Sequence, residues 1–156
     1  METNLKAFMK PELKDDAVIE LPGIEAFKGE DGKPIPFKLK RLSRGEIDKI
    51  RQNNTTKTVV KDKRTNRPMV SGNNRIVYDE QYDSDTATKE IMVECFVFPD
   101  LKSKELRDFY KVDLNTDLPE ILFRGKDWEY ANKCVMIACG MADEDTEEEI
   151  LGKAKN

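Results

Sequence analysis

Apolar and polar residues change their period along this 156-residue chain, and the changes mark out its elements. In residues 36–42 the two types alternate. Phe37 and Leu39, and less cleanly Arg41, fall on one face, with Lys38, Lys40 and Leu42 on the other, as in a half-buried strand. Before it lies a turn-rich stretch, residues 29–34, in which Asp31-Gly32 supplies the positive φ angles that hairpins require. The pattern predicts a hairpin with arms at 24–27 and 36–42. Ser43-Arg44-Gly45-Glu46 then has capping-box spacing: Ser43 accepts from the backbone N–H three residues on, and Glu46 returns a bond. A helix follows, with Ile47 and Ile50 as a narrow apolar stripe and Asn53-Asn54 as its end. Residues 56–61 and 69–71 are expected to pair around 63–66, with 76–78 as a further extended piece.

From Asp83 the period becomes helical. Asp83 or Asp85 caps a helix in which Ala87, Ile91, Cys95 and Phe98 recur, widened by Met92 and Phe96, until Pro99 stops it. Ser103 caps a shorter helix carrying Leu106, Phe109 and Tyr110. Residues 118–123 make another turn of helix, with Pro119 tolerated at its start. Trp128, Ala131, Val135 and Ala138 form the last strong apolar stripe, closed by Gly140 as a C-terminal cap. The fold class expected is therefore α+β: a small antiparallel N-terminal sheet or hairpins with one capped helix, packed on a C-terminal cluster of three to four helices. Residues 1–16 read as a flexible N-terminal arm and 17–141 as a single domain. Residues 142–156, with an acidic run at 143–149, read as a flexible tail.

Composition narrows the function. Hydrophobic residues make up 38% of the chain and charged residues 37%, so the core must come from the apolar clusters at 35–42 and 87–141. No apolar run approaches the roughly 20 residues of a membrane span, and residues 1–10 carry no export signal, so a cytoplasmic protein is expected. Cys95, Cys134 and Cys139 lack C-x-x-C spacing and lie in apolar segments, where a free thiol behaves as a small hydrophobe. The chain has no histidine, which removes the Ser-His-Asp and Cys-His arrangements and the usual zinc sites. Asp79-x-Gln81-x-Asp83 with Glu90 loosely follows a calcium loop, but Ser84 stands where the sharp-turn Gly belongs. Phosphate-cradling Gly motifs are missing. No catalytic, cofactor-binding or metal residues are assigned, and the expectation is a protein that holds another protein without chemistry of its own.

Charge is unevenly spread. Residues 1–78 hold 17 Lys+Arg against 11 Asp+Glu, and residues 79–156 hold 10 against 20. The basic excess peaks in residues 37–75, with 12 Lys+Arg and 3 Asp+Glu, enough to attract a phosphate backbone. Phe37 is the only aromatic there, and the cations straddle two or three elements, so neither a stacking platform nor a recognition helix is evident. Nucleic-acid binding is the alternative reading. The polarity also suggests that the acidic run at 143–149 meets either a basic surface of a partner or, by self-association, the basic segment, residues 37–75, of another copy.

Several segments then fall in a recognisable order. They are Asp31-Gly32-Lys33-Pro34 with Phe37-Lys38-Leu39-Lys40 and Leu42-Ser43-x-x-Glu46; Val97-Phe98-Pro99-Asp100-Leu101-Lys102 with Glu105-Leu106 and Phe109-Tyr110-x-Val112; and Leu122-Phe123-x-Gly125 before a helix led by Trp128 and closed by Gly140-Met141. This series, over about residues 9–141, resembles the XkdN-like phage tail assembly chaperones. It departs from them in the long basic stretch at 57–82 and in Arg124-Gly125-Lys126-Asp127, where a Pro-Gly-acidic turn is usual. The resemblance implies a chaperone that binds the long, helical, apolar tape-measure protein before tail tube subunits surround it, and that is absent from the finished particle. It further implies that some ribosomes slip by one base near the end of the gene, giving a longer product that recruits the tail tube protein; Ala154-Lys155-Asn156 can be encoded with a run of adenines suited to such a slip, and Gly152-Lys153 offers a second, poorer run. A phage regulator acting on nucleic acid and a structural tail or baseplate subunit are the competing readings. Because aromatic anchors dominate contact energy at protein interfaces, Phe109, Tyr110, Trp128 and Tyr130 are the candidate partner-binding residues.

Overall fold

The computed structural model describes residues 5–9 and 17–154. Most of the arm expected at 1–16 lies outside them, as do Lys155 and Asn156. Three strands form the central antiparallel sheet in the order β1-β2-β5: β1 (Val18–Leu21), β2 (Phe37–Lys40) and β5 (Phe96–Phe98). A separate ribbon pairs β3 (Thr55–Val59) with β4 (Tyr78–Tyr82). The helices are α1 (Arg44–Asn53), α2 (Ser84–Cys95), α3 (Lys104–Tyr110), α4 (Leu118–Leu122), α5 (Lys126–Ala138) and α6 (Glu144–Ala154). The architecture is the expected α+β arrangement.

The hairpin forms with a different first arm. β2 pairs with Val18–Leu21, Ile19 opposite Leu39 and Leu21 opposite Phe37; residues 24–27 instead belong to the connection. There Gly32, at φ 77°, turns a small loop in which Gly29 N–H donates to Lys33 O and Ile35 N–H to Phe27 O. The physical reason lies in Val18-Ile19-x-Leu21, whose β-branched pair and alternating apolar positions suit a pleated surface, with Pro22-Gly23 ending the strand. Gly23 is required where it stands, because a Cβ there would run into the carbonyl of Ile35. Strand β2 ends at Lys40, which frees Leu42 to turn into the core while Arg41 stays in solvent.

α1 begins as its cap predicts: Ser43 Oγ accepts from Glu46 N–H at 3.1 Å. Its end is tied to α2, since Asn54 Nδ2 donates both to Ile50 O (2.8 Å) and to Glu90 Oε2 (3.1 Å). Replacing Ser43 with alanine is expected to cost about 1 kcal/mol, the usual value of an N-cap. A urea titration checks this; an unchanged midpoint would mean that water replaces the cap at no cost.

α2 starts on Asp83, whose carboxylate accepts from Thr86 N–H (3.1 Å) and Oγ1 (2.6 Å). Those hydrogen bonds hold the Asp83 carboxyl below its ordinary pKa. The helix stops at Cys95 rather than running to Phe98. Phe96-Val97-Phe98 alternates with period two, and as β5 it pairs with Leu39 and Lys38 through a local register shift. Lys89 then joins α2 to α4 by bridging Asp85 (2.8 Å) and Glu120 (2.6 Å). Hydrogen bonds to the two carboxylates, Asp85 first, raise the Lys89 pKa.

Ser103 caps α3 and Pro119 sits in the first turn of α4, both as expected. α5 closes in a Schellman motif. Gly140, at φ 71°, donates to Ile137 O (3.0 Å) and Met141 N–H to Met136 O (2.8 Å). All three cysteines are buried thiols, none of them in a disulfide. The hydrogen bond with Cys139, then burial, pushes the Cys95 thiol far up in pKa.

One core joins sheet to helices. Phe37 meets Phe96 edge-on at 5.3 Å and Phe123 at 5.6 Å, while Phe96 and Phe123 lie 5.3 Å apart. Leu39, Met92, Leu101, Leu118, Ala131 and Cys134 complete it, each fully buried. The acidic segment read as a flexible tail is helical to Ala154, and Ile150 on α6 joins this core against β1.

Candidate partner-binding surfaces

The four candidate aromatics do not make one patch. Phe109 and Tyr110 end α3, with ring centroids 4.9 Å apart and planes at 84°. Phe109 is 75% exposed, whereas Tyr110 is half-buried against the core. Trp128 and Tyr130 start α5 two positions apart and so face different ways. Trp128 packs partly on the core. Tyr130 reaches into the sheet, its ring 6.2 Å from Phe37 and its hydroxyl donating to the Pro22 carbonyl. Burial raises the Tyr130 pKa. Of the four, Phe109 is presented to solvent, and the other three have structural contacts.

Tyr130 also lines a groove of about 920 Å³ with Glu20 and Leu21 on β1, Pro22 and Ile24 just after it, Lys126 on α5 and Leu151 on α6. Its open shape and mixed lining of carboxylates, lysines and prolines offer a shallow protein contact.

A larger surface is visible in the sequence only as part of the basic segment at 37–75. β3 and β4 pair in register from Thr55–Tyr82 to Val59–Tyr78. The ribbon continues outward through bridges at Lys61–Pro68 and Val70–Ile76, with Met69 N–H donating to Val60 O and Val77 N–H to Met69 O. The pairing expected between 56–61 and 69–71 is therefore the outer part of a longer arm, whose main ladder uses 78–82. No residue from 55 to 82 is buried, and Met69, Val70, Ile76, Tyr78 and Tyr82 stand exposed. Tyr78, Glu80 and Tyr82 share one face of β4 by alternation. The signal was there in Ile76-x-Tyr78-x-x-x-Tyr82, apolar residues an even number of positions apart.

The structure divides the twelve cations of residues 37–75. Lys38 and Lys40 are on β2 and its outer side, Arg41 follows the strand, and Arg44, Lys49 and Arg51 are on α1. The other six, Lys57, Lys61, Lys63, Arg64, Arg67 and Arg75, are on the arm. Among the described residues no helix is long and apolar enough to cross a membrane.

Comparison with known proteins agrees with this architecture. The family described as phage XkdN-like tail assembly chaperone protein matches residues 5–154. XkdN of the phage-like element PBSX, from Bacillus subtilis (strain 168), is 30% identical over 150 residues, 94% of this chain and 92% of XkdN. YqbN of the same organism is 30% identical over 110 residues, 70% of this chain, and the match spans 65% of YqbN's length. A crystal structure of YqbN superposes with a TM-score of 0.67 at 22% identity, covering 91% of this chain and 100% of that one, a likeness of fold. With the order of elements, the capped helices and the aromatic core all in place across the matched span, the chain belongs to the XkdN-like phage tail assembly chaperone family.

Proposed function

We propose that this protein holds a tape-measure protein during tail assembly, without catalysis, and leaves before the particle is complete. Family membership over residues 5–154 supports a role in tail assembly. The observation that carries the finer reading is Phe109: an aromatic ring 75% exposed, set edge-on against Tyr110 and outside the core. A ring held in that way by a neighbour is pre-organised for burial in a partner, and such aromatics are the usual hot spots of protein interfaces. A tape-measure chain, with apolar helical stripes awaiting their tube, is a partner of matching chemistry.

Phe109→Ala is expected to weaken binding to the tape-measure protein encoded with this chain by about tenfold or more, as loss of a hot spot does. Stability should change by no more than about 0.5 kcal/mol, as for other exposed sites. Co-purification and titration calorimetry read the first, urea melts the second. Unchanged affinity with an intact fold would refute the assignment. A longer, frameshifted product that contacts the tail tube protein belongs to the same proposal; the gene's last codons and mass spectrometry of the operon's products test it.

A further inference from the structure

The β3–β4 arm is held by main-chain pairing and contributes no buried residue. An isolated two-stranded ribbon is marginally stable in water. This one also exposes Met69, Val70, Ile76, Tyr78 and Tyr82, which a surface without a partner gains nothing by presenting together. Its charge is predominantly basic: residues 55–82 hold six cations against three acids, Asp62, Asp79 and Glu80. Of those cations only Lys57 makes an ion pair among the described residues, with Glu80 at 3.4 Å. The arm therefore fits a partner surface that is acidic with apolar residues at its edge.

The chain itself carries such a surface. α6 and its cap expose Asp143, Glu144, Asp145, Glu147, Glu148 and Glu149, and Met141 and Leu151 are exposed beside them. α6 is seated on β1, whereas the arm springs from the α1–α2 pair, its root fixed by Asp83 N–H donating to Asn54 O at 2.9 Å. We propose that the β3–β4 arm of one copy docks on the acidic face of α6 in a second copy. Two different surfaces meet, so the contact is heterologous and each copy has a free arm and a free helix for the next. Assembly is then head to tail. The arm's apolar side chains supply the buried area, and the charges set orientation and rate of encounter.

Sedimentation velocity of the full chain tests it. The wild type should self-associate with rising concentration, with an affinity falling about tenfold from low to physiological salt as the Debye length shortens. Lys63→Glu/Arg64→Glu/Arg67→Glu on the arm and Glu147→Lys/Glu148→Lys/Glu149→Lys on the helix should each be monomeric where the wild type associates. An equal mixture of the two variants should associate again, because each offers the other both a wild-type and a charge-swapped contact. Should a triple variant fold poorly by circular dichroism, the single reversals Arg67→Glu and Glu148→Lys carry the same comparison. A wild type that stays monomeric at low salt, or folded variants that associate as the wild type does, overturns the proposal. So does a folded pair that fails to recombine. A monomeric wild type that shifts duplex DNA through the arm cations also overturns it and assigns the arm to nucleic acid.

Discussion

Phe123→Ala is expected to remove about 3–5 kcal/mol of stability, the cost of deleting a buried aromatic from a packed core. Phe123 is 1% exposed and lies where the two halves of the molecule meet. Its ring touches Phe37 on β2 and Phe96 on β5, while its own backbone ends α4, its N–H donating to Pro119 O at 2.9 Å. Truncation leaves a cavity against both strands, and the surrounding rings, already fixed edge-on, collapse into it only in part. Domains have only about 5–15 kcal/mol in total, so the variant should melt far earlier in urea, with an unchanged slope if unfolding stays cooperative. Phe98→Ala is the control: the same residue type, on the sheet that Phe123 packs against, yet exposed, and it should cost no more than about 0.5 kcal/mol. Equal losses at the two positions would show that the aromatic cluster does not join the halves.

What could be read from sequence was what short-range chemistry decides. Caps need a side-chain oxygen and an N–H two or three residues away, so Ser43, Asp83 and Ser103 were visible before any packing was known. The positive φ at Gly140 was visible for a similar reason. The failures occur where tertiary pairing overrides a local pattern. Phe96-Val97-Phe98 continues the helical stripe of α2 and also alternates as a strand; only the vacant edge of β2 settles which, and β5 forms there. The first hairpin arm was misplaced because Ile24 and Phe27 look like a strand beside a turn, although Leu21 is the residue that pairs with Phe37. At the surface the limit is sharper. Phe109, Tyr110, Trp128 and Tyr130 are all aromatic and all on helices, and sequence has no means of telling the exposed ring from the three that pack. Nor could it show that six of the twelve cations share a single projecting arm with Tyr78 and Tyr82, since that follows from the ladder register.

Ile150 decides whether the C-terminal acidic segment is a tail or part of the fold. The sequence around it, Glu147-Glu148-Glu149 before and Gly152 after, reads as solvated, and an isolated helix of this length is marginal in water. Two contacts reverse that expectation. Asp143 caps the helix through Thr146 N–H at 2.7 Å, and Ile150, 1% exposed, is the buried side chain of α6 that meets the core beside β1. The cap organises the first turn, and among the described side chains of α6 Ile150 is the one that is buried, so docking should depend chiefly on it. Ile150→Ala is expected to weaken docking by about 2–5 kcal/mol, the range for truncating a buried isoleucine. At 1.4 kcal/mol per decade, even the lower end makes α6 open roughly 30-fold more often. A protease that cuts after glutamate should then release peptides beginning at 148, 149 or 150 at least that much faster, by cleavage after Glu147, Glu148 or Glu149, while amide exchange in α2 and α5 changes far less. Leu151→Ala, one position on and exposed, should leave cleavage as it is. If Ile150→Ala instead slows nothing and speeds nothing at these three bonds, α6 is held by contacts other than the one with the core, and the acidic face offered to a second copy is anchored elsewhere.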